Sequence, residues 1–322
     1  MTQQTLALLG GAHVHLPDHL EHLQTRGWRL SHVADRDPAR GERLCQDLGA
    51  AWLEQKDLTD GLARSGCEGV VICSETVFHE ADITAALEAG LPVFVEKPLA
   101  GSAEAARRCA ELAIARECTL HTGYFLRTNA ALRGLHAQIE GGAFGRVIEL
   151  RLRFAHDGGY ADWLDLTGWM TDPGLACYGG FADEAVHCID ALQWLLGPIR
   201  SAQAVTGNML GWPVDDHGAG ILRFETGATG VVEAGWTDSE MRLELDLVGE
   251  TGWARLRDGR LETGRRGNPI ATGTTALSPL DAGAGIEPFL DVLEGRPAPG
   301  LVPPLEAAQV NVVLDEMGLR LQ

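Results

Sequence analysis

The chain has 322 residues, of which 45% are hydrophobic and 22% are charged. That usage is typical of a soluble globular protein and excludes a disordered chain or a fibrous repeat. The length favours two domains, each large enough to bury its own apolar core. The net charge of -19 repels nucleic acid and anionic lipid, so we expect neither nucleic acid nor a membrane as a partner.

Cysteine usage indicates the redox compartment. The seven cysteines are scattered and never form a C-x-x-C pair, so the sequence encodes neither a local disulfide framework nor a local zinc site. A reducing, cytoplasmic location is therefore expected. The first apolar run, Leu6–Leu9, is far too short for a signal peptide or a membrane span, and it predicts a buried strand.

The first third of the chain alternates short apolar runs with longer helical stretches, which is the pattern of parallel strands joined by crossover helices. It predicts a doubly wound α/β domain over residues 1–122. The predicted strands are Leu6–Leu9, Arg29–Ala34, Gly69–Cys73, Pro92–Val95 and Leu120–Tyr124. The predicted helices are Pro38–Leu48, Glu80–Ala89 and Ala103–Arg116.

From residue 123 the pattern changes to hairpin spacings with glycine between the strands. It predicts an α+β domain over residues 123–303, with an open, mainly antiparallel sheet and helices on one side. Its predicted elements are a helix at Ala130–Glu140 and strands at Val147–Phe154, Ala202–Thr206, Ala219–Phe224, Ala228–Ala234, Arg242–Val248 and Gly252–Leu256. We expect a long loop over Arg265–Gly285 and a closing helix over Pro304–Leu321, in a terminal segment of residues 304–322 that packs on the first domain.

A glycine turn follows the first strand, where a dinucleotide-binding fold places a pyrophosphate at a helix start. The turn reads Gly10-Gly11-Ala12-His13-Val14-His15 and keeps only the first glycine of G-x-G-x-x-G, so an ordinary strand-to-helix turn is the alternative. Asp35 closes the second strand at the spacing of a ribose-binding carboxylate. Because that carboxylate repels a 2′-phosphate, NAD is favoured over NADP, although the adjacent Arg36 partly offsets it.

Two more strands end in polar residues at the edge where doubly wound sheets bind ligands. Ser74, Glu75 and His79 follow one strand, and Glu96-Lys97-Pro98 ends the next. We expect these residues to contact the cofactor, together with Gly10, Ala12, His13, Asp35 and Arg36. Lys97 could hydrogen-bond a reacting oxygen and transfer a proton, and a solvated surface lysine is the alternative.

A second chemical motif lies in the α+β domain. Asp183 and His187 are four residues apart and Asp190 is three further on, so a helix would place all three on one face. A carboxylate beside an imidazole is suited to general-base chemistry. The alternative is a structural polar cluster at a helix start.

Together these motifs resemble the glucose–fructose oxidoreductase, inositol dehydrogenase and rhizopine-catabolism (Gfo/Idh/MocA) family along nearly the whole chain. The segment that begins Glu96-Lys97-Pro98 resembles the family's E-K-P motif, and Asp183–Asp190 resembles its D-x-G-x-H-x-x-D motif. Ser74–His79 and Gly123–Arg127 are similar to its T-P-N-x-x-H and G-F-N-x-R segments.

The resemblance implies an NAD-dependent dehydrogenase that transfers a hydride between nicotinamide and a ring hydroxyl or ketone of a sugar or cyclitol. Lys97, Asp183 and His187 would be catalytic, with His187 or Lys97 as the acid/base. Arg127, Asp183 and His187 would contact the substrate. Trp169 lies in a segment, Asp157–Asp172, whose aromatic faces could stack on a sugar ring and cover the cleft; a structural loop that packs its own tryptophans is the alternative. A homodimer or homotetramer is expected by the same analogy. The chain departs from the family pattern at Ala12, His15, Glu75-Thr76 and Ala185.

Two other functions stay open at this stage. A redox-neutral NAD-dependent glycosidase would oxidise its sugar only transiently and release a glycone without accumulating NADH. A ligand-sensing relative would keep the fold without the chemistry, although the joint presence of the three catalytic residues argues against it. A metal enzyme is disfavoured because Asp215-Asp216-His217 and His13-x-His15 lack complementary ligands in the sequence, so no metal ligand is predicted.

Overall fold

The computed structural model describes residues 4–161 and 163–321. These residues form two compact units. The first contains the described residues up to Phe125 together with Leu175–Cys177 and Asp281–Asn311, and the second contains Leu126–Gly174, Tyr178–Leu280 and the described residues from Val312 onward. Within the described ranges, no helix combines the length and the apolar character needed to cross a membrane.

Strands and helices are numbered in chain order. The strands are β1 Thr5–Leu9, β2 Arg29–Ala34, β3 Ala51–Trp52, β4 Val70–Ile72, β5 Val93–Val95, β6 Leu120–Thr122, β7 Val147–Ala155, β8 Ile199–Gly207, β9 His217–Phe224, β10 Thr229–Gly235, β11 Arg242–Gly249, β12 Gly252–Arg257, β13 Arg260–Arg265 and β14 Gly273–Ala276. The α-helices are α1 Leu16–Thr25, α2 Pro38–Leu48, α3 Leu58–Ser65, α4 His79–Glu88, α5 Ala103–Ala115, α6 Ala130–Glu140, α7 Pro173–Ala176, α8 Gly180–Leu196, α9 Glu287–Leu293 and α10 Pro304–Glu316.

The first unit contains a six-stranded, fully parallel sheet in the order β3-β2-β1-β4-β5-β6. The central strands are short and buried on both faces, which explains why they appear in the sequence as continuous apolar runs. The strand order reverses between β1 and β4, and doubly wound sheets bind ligands at such a reversal. The carboxyl ends of β1, β2, β4 and β5 therefore define the candidate cofactor region.

A late segment of the chain completes the core of the first unit. Ile286 and Phe289 are fully buried and pack in one apolar cluster with Leu6, Leu8 and Trp28. The indole of Trp28 also donates to a carboxylate of this segment, with 2.9 Å between its Nε1 and Glu294 Oε1. Strand β1 and the chain just before β2 are therefore held by apolar and polar contacts from residues far away in sequence.

The second unit contains an eight-stranded sheet in the order β14-β13-β12-β11-β7-β10-β9-β8. Neighbouring strands are antiparallel except β7 and β10, which are parallel. Alternate residues of β11, among them Leu243, Leu245 and Leu247, are buried, as a strand with one covered face requires. Helix α8 packs on β7, β9 and β10, so its segment Asp183–Asp190 is supported directly by this sheet.

The predicted fold class is confirmed: a doubly wound parallel sheet is followed by a mainly antiparallel one. The prediction of an unbroken loop over Arg265–Gly285 is wrong, because Gly273–Ala276 pairs with β13 as an edge strand. The closing helix was predicted to run to Leu321, but it ends at Glu316. Gly318, with φ of +73°, then adopts the left-handed conformation that stops helices.

Candidate functional site

Gly10 is the one residue of the glycine turn whose backbone only glycine fits. Its φ is +72°, and a Cβ at this position would lie 2.4 Å from the Cα of Ser74. Its amide donates to the carbonyl of Ala34 at 2.8 Å, which joins the ends of β1 and β2. The close approach of three strand ends therefore depends on the missing side chain.

The rest of the turn is held by its own amides. Those of Ala12 and His13 donate to the carbonyl of Cys73 at 3.0 Å, and that of Gly11 donates to Asp35 Oδ2 at 2.9 Å. The side chain of His15, the residue before α1, makes no capping hydrogen bond with the helix, and the amide of His15 donates to His13 Nδ1 at 3.3 Å. An uncapped helix start after a glycine turn suits a pyrophosphate group, so these residues fit a dinucleotide.

Asp35 ends β2 as predicted, and its carboxylate is fully engaged. Oδ2 accepts from Gly11 N and from Arg40 Nε at 2.8 Å, while Oδ1 accepts from Asp37 N at 2.8 Å and from Arg40 Nη2 at 2.7 Å. Four hydrogen bonds fill the capacity of a carboxylate. Ribose hydroxyls that bind Asp35 would therefore displace Arg40, whose Nη2 also lies 2.9 Å from Glu75 Oε1.

Arg36 is also engaged with acidic neighbours. It forms two hydrogen bonds with Asp82, at 3.0 and 2.8 Å, and stacks 4.1 Å from the centre of the Phe78 ring. Asp82 in turn accepts from the hydroxyl of Ser74 at 2.7 Å. The three carboxylates of Asp35, Glu75 and Asp82 outnumber the two guanidinium groups of Arg36 and Arg40, so this region carries a net charge of -1. Such a region disfavours the 2′-phosphate of NADP.

His79, predicted to contact the cofactor, is completely buried and joins two strand-end loops. Its Nδ1 lies 2.8 Å from the carbonyl oxygen of Pro98, and its Nε2 lies 3.1 Å from that of Ser74. Burial lowers the pKa of His79, although both carbonyls raise it. The neutral ring donates to one of the two carbonyls and fixes the loops that carry Ser74 and Lys97.

Lys97 lies two residues after β5 and is 2% exposed. The chain has only two lysines, and the other, Lys56, is exposed. Lysine is seldom fully buried in proteins, so burial at the edge where doubly wound sheets bind ligands distinguishes Lys97 from an ordinary surface lysine. Its amide donates to the carboxylate of Glu96, with 3.0 Å between N and Oε2, and the peptide bond between Lys97 and Pro98 is cis.

Three histidines surround the buried carboxylate of Glu96. Its Oε1 lies 2.5 Å from His19 Nε2 and 3.2 Å from His15 Nδ1, and its Oε2 lies 3.6 Å from His13 Nε2. Glu96 therefore lies beside both imidazoles and gives His13 and His15 a candidate third ligand that no local sequence pattern indicated.

For each group in this cluster, burial and the contacts between Glu96 and the histidines shift the pKa in opposite directions. Burial raises the pKa of Glu96, but the nearby His13 and His15 and the hydrogen bonds from His15 and His19 more than reverse this effect, so the pKa falls well below its usual range. Burial also lowers the pKa of His13 well below its usual value, against the attraction of Glu96. The histidine contacts therefore favour the ionised form of Glu96, whereas burial disfavours the protonated form of His13.

In the second unit, Asp215 fixes the start of α8. Its Oδ1 accepts from Phe181 N at 2.7 Å, and its carbonyl accepts from Gly180 N at 2.7 Å. A side chain at Gly179 would lie 2.5 Å from Asp215 Oδ2, and one at Gly180 would lie 2.6 Å from the ring of Trp236. The two glycines therefore let the helix start approach its cap and the indole closely.

Asp183 and His187 lie one turn apart on α8, as predicted. Trp236 Nε1 donates to Asp183 Oδ2 at 2.9 Å and fixes the carboxylate. His187 is 1% exposed, and the ring of Phe154 meets its imidazole edge to face, with 5.5 Å between ring centres. The helix therefore presents a positioned carboxylate and a buried imidazole on one face.

Asp190 is paired with Arg127. Arg127 Nε and Nη2 donate to the two carboxylate oxygens at 2.9 and 2.7 Å, and both side chains are almost fully buried. Arg127 was predicted to contact substrate, and its guanidinium is already committed to Asp190 in this structure. The pair joins the segment before α6 to α8.

Trp169, the other predicted substrate contact, is half-buried. It packs against an apolar cluster that includes Leu164, Met170, Val214 and Trp236. Because Trp236 also donates to Asp183, the cluster connects the segment around Trp169 to the carboxylate of α8.

Each unit thus brings its own predicted residues together. In the first unit, the residues predicted to contact the cofactor lie at or beside the ends of β1, β2, β4 and β5. They are Gly10, Ala12, His13, Asp35, Arg36, Ser74, Glu75, His79, Glu96 and Lys97. In the second, Asp183 and His187 share α8. Sequence reasoning missed Arg40, His19, Asp215 and Trp236. The spacing of His15 and His19, four residues apart, was the one available signal, because it places both on one side of a helix.

Comparison with known proteins finds the same oxidoreductase family in both parts of the chain. Residues 6–124 match the family model of the oxidoreductase family with an NAD-binding Rossmann fold, and residues 132–255 match the GFO/IDH/MocA C-terminal domain. An inositol 2-dehydrogenase from Pseudomonas syringae is 33% identical over 244 residues, which are 71% of this chain and 67% of that protein. The myo-inositol dehydrogenase Hyg17 from Streptomyces leeuwenhoekii is 27% identical over 240 residues, 72% of this chain and 70% of that protein.

A solved structure shares the fold over almost the whole chain. A levoglucosan dehydrogenase in complex with NADH and L-sorbose has a TM-score of 0.78 at 20% identity, over 99% of this chain and 96% of that one. At this identity the likeness concerns the fold.

Proposed function

This chain belongs to the Gfo/Idh/MocA oxidoreductase family, and from that premise we propose that it oxidises a ring CH–OH group of a sugar or cyclitol with NAD, or reduces the corresponding ketone. The observation that carries the proposal is the buried Lys97 at the ligand-binding edge of the parallel sheet. The names of the inositol dehydrogenase relatives support a polyhydroxylated ring as substrate.

The residues of the first unit would hold the cofactor. The turn at Gly10 and the uncapped start of α1 would receive the pyrophosphate, and the acidic group around Asp35 and Glu75 would face the adenosine ribose. NAD supplies the hydride acceptor when it is bound. The net negative charge of this region supports NAD over NADP.

The proposed proton chemistry uses Lys97, Asp183 and His187. When the carbinol carbon gives up its hydride, His187 or Lys97 would take the hydroxyl proton, so that the alcohol becomes a ketone and the protein holds one proton. Asp183 accepts a hydrogen bond from Trp236 and would orient the substrate or the acid/base group. Arg127 would act indirectly, by holding α8 through Asp190. Trp169 would offer an aromatic face to the ring.

The first experiment is nicotinamide reduction with a substrate panel. Purified protein is mixed with NAD or NADP and with inositols, aldoses, sugar acids and anhydrosugars, and the near-ultraviolet absorbance of the reduced cofactor is followed. We expect turnover with one class of cyclic polyol and a preference for NAD.

Two lysine variants make the experiment specific. Lys97→Met should lower kcat by about 100-fold to 10,000-fold, because it removes a group for proton transfer and substrate binding. Lys56→Met is the matched control, since it removes the other lysine of the chain from an exposed position. Equal kcat in the two variants would contradict the proposed role of Lys97.

A further inference from the structure

The histidine cluster around Glu96 has the composition of a metal site. We infer that His13, His15 and Glu96 bind one divalent transition-metal ion. The candidate ligand atoms of the three residues all lie within 4.8 Å of one another. Two of them come from the glycine turn and the third from the end of β5, so they approach the same point from different strands of the sheet.

The distances within the cluster are close to those of a metal-bound set. With metal–nitrogen and metal–oxygen bonds of about 2.0–2.2 Å, two ligands of a tetrahedral ion lie about 3.3–3.6 Å apart. Glu96 Oε1 and His15 Nδ1 are 3.2 Å apart, and Glu96 Oε2 and His13 Nε2 are 3.6 Å apart. Each imidazole is therefore near the spacing of a metal ligand from Glu96, with His15 facing Oε1 and His13 facing Oε2 of the same carboxylate.

A second set of contacts holds the carboxylate in place. His19 Nε2 lies 2.5 Å from Glu96 Oε1, and the amide of Lys97 donates to Oε2 at 3.0 Å. The other ring nitrogen of His19 faces the carbonyl of Gly283 at 3.3 Å, so this imidazole positions Glu96 and is not a ligand. Carboxylates that bind metals are commonly hydrogen-bonded in this way.

Burial and ligand type indicate which ion would bind. His13 and Glu96 are buried, whereas the side chain of His15 is 21% exposed and leaves an open side for entry and for a water ligand. Two imidazoles and one carboxylate suit Zn²⁺, Co²⁺ or Ni²⁺. Mg²⁺ and Ca²⁺ prefer sites made of oxygen ligands. His13 and Glu96 are also among the residues expected to contact the cofactor, so metal binding is tested on nucleotide-free protein and is measured without turnover.

The test uses the full chain after treatment with a chelator and removal of nucleotide. Titration with Co²⁺, followed by its visible absorption, should show one ion per chain, which Zn²⁺ then displaces. His15→Ala should weaken Co²⁺ binding by more than about 100-fold, because even outer partners of a metal ligand contribute 10-fold to 100-fold.

His22→Ala is the matched control. It removes an imidazole from α1, the helix that follows the glycine turn, where Asp281 Oδ2 and Glu287 Oε1 lie 2.9 and 2.6 Å from its ring nitrogens. This variant should bind Co²⁺ as tightly as the unmodified protein does. Zn²⁺ should raise the unfolding temperature of the unmodified protein and of His22→Ala but not of His15→Ala, and Mg²⁺ should raise none of them.

Two results would overturn the inference: Co²⁺ binding of equal strength in His15→Ala and the unmodified protein, or no Co²⁺ binding by the unmodified protein. Thermal unfolding of each variant without metal shows that it is folded, so loss of binding cannot be confused with loss of structure.

Discussion

The buried ion pair between Arg127 and Asp190 allows a quantitative prediction about the support of α8. The two hydrogen bonds of 2.9 and 2.7 Å join side chains that are 4% and 0% exposed. Asp190→Asn keeps the shape of the side chain but leaves the charge of Arg127 in a buried site without the facing carboxylate. Breaking a buried pair in this way costs about 3–5 kcal/mol.

The exposed pair of Arg64 and Asp60 supplies the control. Its side chains are 71% and 78% exposed and 3.7 Å apart, one helical turn from each other. Asp60→Asn should therefore change the free energy of unfolding by no more than about 0.5 kcal/mol. Urea unfolding followed by tryptophan fluorescence measures both variants, and Trp194, whose ring centre lies 5.8 Å from the Arg127 guanidinium, reports on the region.

A double variant, Arg127→Leu with Asp190→Leu, separates charge from packing. Because it removes both buried charges together, it should recover part of the stability that Asp190→Asn loses. The reasoning is refuted if Asp190→Asn costs no more than Asp60→Asn, since the pair would then contribute no more than a surface contact.

Three further predictions concern single residues. Gly10→Ala should destabilise the protein and weaken NAD binding more than Gly90→Ala does, because Gly90 has a similar φ of +77° but open space around it. Gly90→Ala alone should lower the free energy of unfolding, measured in urea, by about 1–2 kcal/mol. Asp215→Ala should cost about 1 kcal/mol by loss of the contact with the start of α8, and an unchanged unfolding midpoint would contradict the capping role. Burial lowers the pKa of His22, but Glu287 and Asp281 outweigh burial, so the pKa is raised in the folded protein. The protonated His22 therefore stabilises the fold fully below about pH 6.5, and this stabilisation is lost as the pH rises through the folded pKa. His22→Ala should therefore reduce unfolding free energy more at about pH 6 than at about pH 9, and an equal loss at both would contradict this assignment.

The order of elements could be predicted from the sequence where burial produces a strong pattern. The apolar runs that became β1, β4 and β5 have no polar residue to obscure them, because parallel strands are covered on both faces. The four-residue spacing of Asp183 and His187 could also be interpreted from the sequence, because helical periodicity is a local property, and both residues lie on α8. In contrast, β14 is polar and mostly exposed, so no apolar pattern identified it.

The contacts that define the site could not be predicted, because they join residues that are distant in sequence. Glu96 lies 83 residues from His13, yet their side chains are 3.6 Å apart. Asp35 was predicted at the correct strand end, but its engagement by Arg40 depends on where α2 begins and on the position of Glu75. The chemistry of the site residues could be inferred from the sequence, whereas their partners required the fold.

The most direct test of the proposed reaction follows the hydrogen atom itself. A cyclic polyol that is a substrate in the panel is prepared with deuterium at the oxidised ring carbon, and the reduced cofactor and the product are examined by mass spectrometry. Direct hydride transfer predicts deuterium in the reduced nicotinamide, formed in equal amount to the ketone. Release of a product without reduced cofactor, or deuterium found only in water, would contradict a dehydrogenase and favour a reaction in which oxidation is transient.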